Sequence, residues 1–238
     1  MQISIVRVRP QNGCRRKKKR KTPKRRIAAI AFAVAAFGVL AWLLFGQEPE
    51  QDANITYIGD IPVISQFLPE NSASRPGTRR EIKYVVIHET DNFRAGADAA
   101  AHNAYLLNNA YTQELSWHYT VDDHEIYHNL PDDEVAYHAS DHLKQNGGNR
   151  NGIGVELCVN EDGDYEQTLR NAELLTAALL KAYGLSVEDV KKHQDFSGKI
   201  CPARLIGENR WDEFLDQVRK DYTMLSEQEK NAQEQGTP

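Results

Sequence analysis

Apolar positions along the chain change their period several times, and each period predicts a different element. Residues 27–45 (IAAIAFAVAAFGVLAWLLF) are nineteen residues without a charge. As a helix at about 1.5 Å per residue they would reach roughly 28 Å, close to the ~30 Å hydrocarbon core of a bilayer, so the pattern predicts a transmembrane helix. Residues 46–61 (GQEPEQDANITYIGDI) are polar and acidic with no sustained period, and read as a linker. Residues 83–88 (KYVVIH) then form a β-branched run, which predicts a buried strand ending at a histidine. A second strand is expected over 117–121, where Asp122-Asp123 turns the chain into 125–128 to close a hairpin, and a third over 151–159. Helical periods alternate with these over 96–109, over 167–183 with Gly184 as a C-terminal cap, and over 203–222, where Leu205, Trp211, Phe214, Leu215 and Val218 share a side.

The alternation predicts an α/β fold over residues 62–222, a single domain with a central mixed β-sheet flanked by helices and preceded by one transmembrane helix. Its roughly 160 residues suffice to bury ~70 % of the unfolded surface and to support one core. Residues 223–238 read as a polar tail that frays. No internal repeat is present.

Charge sharpens this picture. Residues 1–26 hold twelve Lys or Arg and no acid, whereas the chain beyond residue 46 holds seventeen Lys or Arg against thirty-four acids, a net charge of −17. A basic flank stays on the cytoplasmic side of a spanning helix, so the rest of the chain is expected outside, with Trp42 as an aromatic anchor. A cleaved signal peptide fits less well, because its basic region is short and its apolar core runs to about 7–15 residues. A basic run beside a spanning helix points to anionic lipid head groups as partners, and no nucleic acid is expected.

Of three cysteines, Cys14 falls on the cytoplasmic side, so only Cys158 and Cys201 are expected outside. Either they pair or at least one has chemistry. The sequence His124-Glu-Ile-Tyr-His128 matches the HExxH pattern of zinc proteases, which needs a helix to put both imidazoles on one metal. Here it lies in a hairpin, where residues four apart are ~13 Å from each other, too far for bonds of about 2 Å to one ion. His124 therefore reads as a turn residue and His128 as a surface one. A better metal candidate is His193 and Cys201, separated by a Ser-Gly turn, with His88 at the end of its strand as third ligand. Spacing alone leaves open a buried Cys and two satisfied histidines.

Six motifs in order decide between these readings. They are Leu68-Pro-x-Asn71 with Arg75-Pro-Gly77, Tyr84-Val-Val-Ile-His88-Glu-Thr90, Ser116-Trp-His-Tyr-Thr-Val-Asp122, Ala136-Tyr-His-Ala139, Gly152-Ile-Gly-Val-Glu156-Leu-Cys158, and His193-x7-Cys201-Pro. The set resembles the zinc-dependent N-acetylmuramoyl-L-alanine amidases, in the Gram-positive branch of the family shared with peptidoglycan-recognition proteins and phage lysozyme-type amidases.

The resemblance implies hydrolysis of the amide joining N-acetylmuramic acid to L-alanine in peptidoglycan, with Zn2+ held by His88, His193 and Cys201. Glu156 matches the catalytic Glu of the Gram-positive branch, and Lys199 the Lys that assists the developing oxyanion. His118 and His138 are expected to line the substrate groove, with a buried structural role left open for either, and Cys158 is expected to be a small buried residue with no disulfide to Cys201. One departure is that Trp117 stands where the phage lysozyme-type branch has a catalytic Tyr. Two other functions stay in view, a non-catalytic peptidoglycan-binding module and a phage-type endolysin. The thiol of Cys201 argues against the first, and the basic segment and spanning helix argue against the second.

Overall fold

In the computed structural model, which describes residues 54–235, seven strands form one mixed sheet. The strands are β1 Asn54–Ile58, β2 Ile61–Ser65, β3 Tyr84–Glu89, β4 Tyr119–Val121, β5 Ile126–His128, β6 Gly152–Leu157 and β7 Val190–Lys192. They lie in the order β1-β2-β5-β4-β6-β3-β7, antiparallel at β1/β2 and β4/β5 and parallel at the other pairings. The helices among the described residues are α1 Ala99–Asn109, α2 Gly148–Asn151, α3 Tyr165–Ala182, α4 Gln194–Ser197, α5 Ala203–Gly207 and α6 Trp211–Gln235. This is the expected α/β class.

Side chains alternate between the faces of a strand, and β3 and β6 use the alternation to separate two tasks. Val85 and Ile87 of β3 and Ile153, Val155 and Leu157 of β6 are buried against Leu169, Leu175 and Leu180 of α3 and Phe214 and Val218 of α6. At about 1.5–3 kcal/mol for each large apolar side chain removed from water, this face supplies most of the fold's stability. Residues of opposite parity face the other way: Val86 and His88 on β3, Gly154 and Glu156 on β6. The parallel register sets Val86 beside Gly154 and His88 beside Glu156. A smaller apolar cluster of Leu68, Leu106, Ala110, Trp117, Leu130 and Ala136 lies under α1. Arg75 closes the edge of that cluster with two bonds to the Glu134 carboxylate, 2.8 and 2.9 Å, and a third to the Leu68 carbonyl at 2.8 Å.

Several boundaries differ from the sequence expectation. The stretch read as linker contains β1, which pairs in antiparallel register with β2 across a turn where Gly59 has φ of 60°. Polar composition hid this edge strand, because its apolar residues Ile55 and Tyr57 stay exposed instead of marking a buried face. The helix expected over 203–222 is broken where Asn209 adopts a left-handed φ of 56°, ending α5 and letting α6 restart at Trp211. α6 then continues to Gln235 through most of the stretch read as a fraying tail, held by Tyr222 and Leu225 against the core and by a Lys181–Glu229 contact to α3. The spanning helix expected at 27–45 and the basic segment 1–26 lie outside the described residues. Among the described residues no helix is long and apolar enough to cross a membrane.

Candidate active site

His88 is the next-to-last residue of β3, on the face away from α3. β7 runs parallel to β3 with Lys192 opposite Ile87, so the next residue, His193, arrives beside His88, and its N–H donates to the Ile87 carbonyl at 3.3 Å. The short α4 and the left-handed Gly198 (φ 78°) then reverse the chain, and the Gln194 N–H bonds the Cys201 carbonyl at 3.1 Å. Glu89 anchors this return. Its parity turns it to the opposite face, where one oxygen accepts from the Tyr165 hydroxyl at 2.6 Å and from the Leu205 N–H at 3.2 Å. The other accepts from the Arg204 N–H at 2.6 Å, a carboxylate placed at the N-terminus of α5 just after Cys201.

The result is three buried donors facing one another. His88 Nδ1 lies 3.1 Å from His193 Nδ1 and 3.8 Å from Cys201 Sγ, and all three donor atoms fall within 4.8 Å. Tetrahedral zinc with bonds of about 2.05 Å to nitrogen and 2.3 Å to sulfur would set such atoms roughly 3.3 and 3.6 Å apart, so the residues fit the ion. Burial lowers the pKa of both His88 and His193, helped by the charge of Lys199, so both offer neutral imidazoles. Burial also pushes the Cys201 thiol up to about 12, which disfavours a thiolate unless a cation shares the cradle.

Glu156 enters from the neighbouring strand, with Oε1 3.8 Å from His88 Nδ1 and Oε2 buried without a protein partner. Burial pushes its carboxyl up to about 8, against the lowering influence of the Lys199 charge. Lys199 is exposed on the loop before Cys201 and borders the same cleft. That cleft, about 1120 Å³, runs from the three donors past His102, Tyr105, Glu114 and Trp117.

The remaining expectations sort by face and burial. Of the two roles open to His118, the structure has the buried one: the residue is fully buried and does not line the cleft. Its Nδ1 accepts from the Gly154 N–H at 3.0 Å, and its Nε2 lies 3.0 Å from the Glu134 carbonyl and 2.9 Å from Arg80. His138 borders the cleft, yet its ring is turned inward, with Nδ1 2.9 Å from His88 Nε2. Burial holds His138 down at about 3. Trp117 spends its indole N–H on Thr120 Oγ1 at 2.7 Å. Cys158 and Cys201 are both free thiols, as expected. His124 lies in the β4–β5 turn and His128 on β5, stacked on Tyr119 at 4.3 Å, and neither lines the cleft.

Sequence reasoning missed Glu89 and Asn149. Strand alternation alone was enough to send Glu89 away from its neighbour His88. Asn149, whose Oδ1 accepts from the N–H groups of His138 and Ala139 at 2.6 Å each, carried no motif signal.

A mixed sheet that brings two imidazoles, a thiol and a carboxylate to one end of a cleft has the makeup of a metal-dependent hydrolase domain. The sequence model of N-acetylmuramoyl-L-alanine amidases matches residues 78–204, and the chain belongs to that family. It is similar to N-acetylmuramoyl-L-alanine amidase XlyA of Bacillus subtilis, with 42% identity over 154 residues, 65% of this chain and 50% of the relative. It is also similar to the amidase CwlH of the same species, with 40% identity over 158 residues, 66% of this chain and 61% of the relative. The chain thus spans half to three-fifths of the length of these curated relatives. The solved catalytic domain of XlyA superposes with a TM-score of 0.62 at 40% identity, covering 66% of this chain and 98% of that one.

Proposed function

We propose that this chain is a zinc-dependent N-acetylmuramoyl-L-alanine amidase that hydrolyses the amide between N-acetylmuramic acid and L-alanine in peptidoglycan. The observation that carries the reading is the convergence of His88, His193 and Cys201 with Glu156 in the cleft of a domain belonging to this family. The first three would hold the ion. Bound there, zinc supplies Lewis acidity, polarising the amide carbonyl and lowering the pKa of water from 15.7 toward ~7. Glu156 accepts the proton of the attacking water and returns it to the leaving nitrogen as the carbon–nitrogen bond breaks. Lys199 offers a positive charge to the oxygen that becomes negative during attack. Trp117 has no hydroxyl to share this work, which leaves Glu156 as the proton carrier.

The uncharged residues 27–45 and the twelve cations before them support a location at the cell membrane, single-pass with a cytoplasmic N-terminus and the hydrolase outside. An enzyme held there would remodel the wall of its own cell. A released lytic enzyme is the second reading, favoured by likeness to a solved mutant endolysin from Bacillus subtilis at 40% identity and a TM-score of 0.63. Fractionation separates the two, since an anchored enzyme sediments with membranes and a lytic one does not.

The deciding experiment digests purified peptidoglycan with the full chain, with Glu156→Ala and with Cys201→Ser, and identifies the cleaved bond by mass. Wild type should release L-alanine amino termini. Glu156→Ala should lose about 10²–10⁴ in rate, and Cys201→Ser should lose zinc and activity together. Equal cleavage by all three would overturn the site.

A further inference from the structure

We propose that His138 is a positioning residue for His88: it fixes which nitrogen of the His88 ring is bare and so aims a lone pair at His193 and Cys201. The inference rests on reading those three residues as a zinc site. It follows from where each ring nitrogen points. His138 Nε2 faces the Gly152 carbonyl at 3.3 Å, and a carbonyl only accepts, so Nε2 carries the hydrogen. A neutral imidazole then has Nδ1 bare. That nitrogen lies 2.9 Å from His88 Nε2, which must therefore be the donor. With its hydrogen on Nε2, His88 presents a bare Nδ1 to His193 Nδ1 at 3.1 Å and to Cys201 Sγ at 3.8 Å. One backbone carbonyl thus dictates the tautomer of two rings in sequence.

Space is reserved for this relay. A Cβ added at Gly154 would fall 2.8–2.9 Å from Cγ, Cδ2 and Nδ1 of His138, closer than side chains tolerate. Gly154 has no positive φ, so the glycine is required there for room and not for backbone freedom. The backbone N–H of His138 donates to Asn149 Oδ1 at 2.6 Å, which fixes the main chain that carries the ring, and His118 packs edge-on against the ring itself at 6.0 Å. The T-shaped approach of His88 and His138, 4.9 Å at 84°, directs the nitrogen of one at the nitrogen of the other.

The test measures zinc affinity of the full chain by competition with a chromophoric chelator, alongside the nitrogen-15 spectrum of the His88 ring after the metal is chelated away. His138→Phe should weaken zinc binding about 10–100-fold, whereas His138→Asn, whose Oδ1 replaces the Nδ1 acceptor, should stay within about 3-fold of wild type. A merely structural role would not distinguish those variants by acceptor chemistry. The spectrum should show hydrogen on Nε2 of His88 in wild type. Hydrogen on Nδ1 instead would overturn the inference even where His138→Phe fails to fold. Equal zinc affinity of wild type and His138→Phe would also overturn it while leaving the proposed function intact. Wild-type protein that binds no zinc would remove both.

Discussion

The two faces of β3 and β6 are made from the same two strands, yet they obey opposite rules. On the α3 side, Val85, Ile87, Val155 and Leu157 are fully buried among hydrocarbon and leave no polar group to satisfy. On the other side, His88 and Glu156 sit beside each other, the Glu156 Oε2 has no protein partner, and burial pushes the carboxyl up to about 8. A buried carboxyl without a full set of bonds costs stability. The contrast places the cost of function on one face and the stability that offsets it on the other, one residue apart along the chain.

The largest expected effect breaks the contrast at adjacent positions. Ile87→Ala should destabilise the fold by about 2–5 kcal/mol, the range for a buried aliphatic truncation that leaves a cavity. In the metal-free chain, Glu156→Gln should leave stability unchanged or raise it, because a neutral amide is cheaper to bury than a carboxylate. Urea denaturation of the two variants checks this. A Glu156→Gln protein as unstable as Ile87→Ala would mean that the site face carries fold stability after all.

The same contrast explains how much could be read from sequence. The apolar face declares itself by alternation, so KYVVIH and GIGVELCV reveal β3 and β6, and the candidate ligands His88, His193 and Cys201 lie in quoted motifs. What stayed hidden depends on contacts between distant segments. β7 is three residues, two of them lysines, and is a strand only because β3 lies beside it. β1 leaves Ile55 and Tyr57 exposed and so lacks a buried stripe. The inward turn of His138 depends on Gly154 from β6 and Asn149 from α2, neither close to it in the motif that contains it.

A smaller effect tests the helical layer that covers the apolar face. Glu173 on α3 is buried beside Arg170, which also forms two bonds to Asp221 on α6. Burial pushes the Glu173 carboxyl up to about 7 from an ordinary 4.5. An acid with a raised folded pKa stabilises the fold when protonated, so its contribution is complete below about pH 4.5 and is lost as pH rises through 7. Glu173→Gln should therefore be more stable than wild type at pH 8, by about 1–3 kcal/mol, and nearly equal to it at pH 4. Thermal melts at the two pH values read the difference. Wild type gaining on the variant as pH rises would show that the Arg170 pairing outweighs burial.

The smallest effect is expected where the sequence is most suggestive. His124 and His128 complete an HExxH pattern, but His124 lies in the turn that follows β4, its exposed ring 2.7 Å from the half-buried Asp123 carboxylate. The neighbouring Asp122 is already occupied as an acceptor, taking the N–H groups of Ala99 at 2.9 Å and of His124 and Glu125 at 2.8 Å each. Those bonds make a turn, and they leave Asp122 little capacity to ligate a cation. His124→Ala should consequently keep the zinc content and wall-cleaving rate of wild type, whereas His193→Ala should lose both. Loss of zinc from the His124 variant alone would move the metal to the hairpin turn and overturn its assignment to the buried trio.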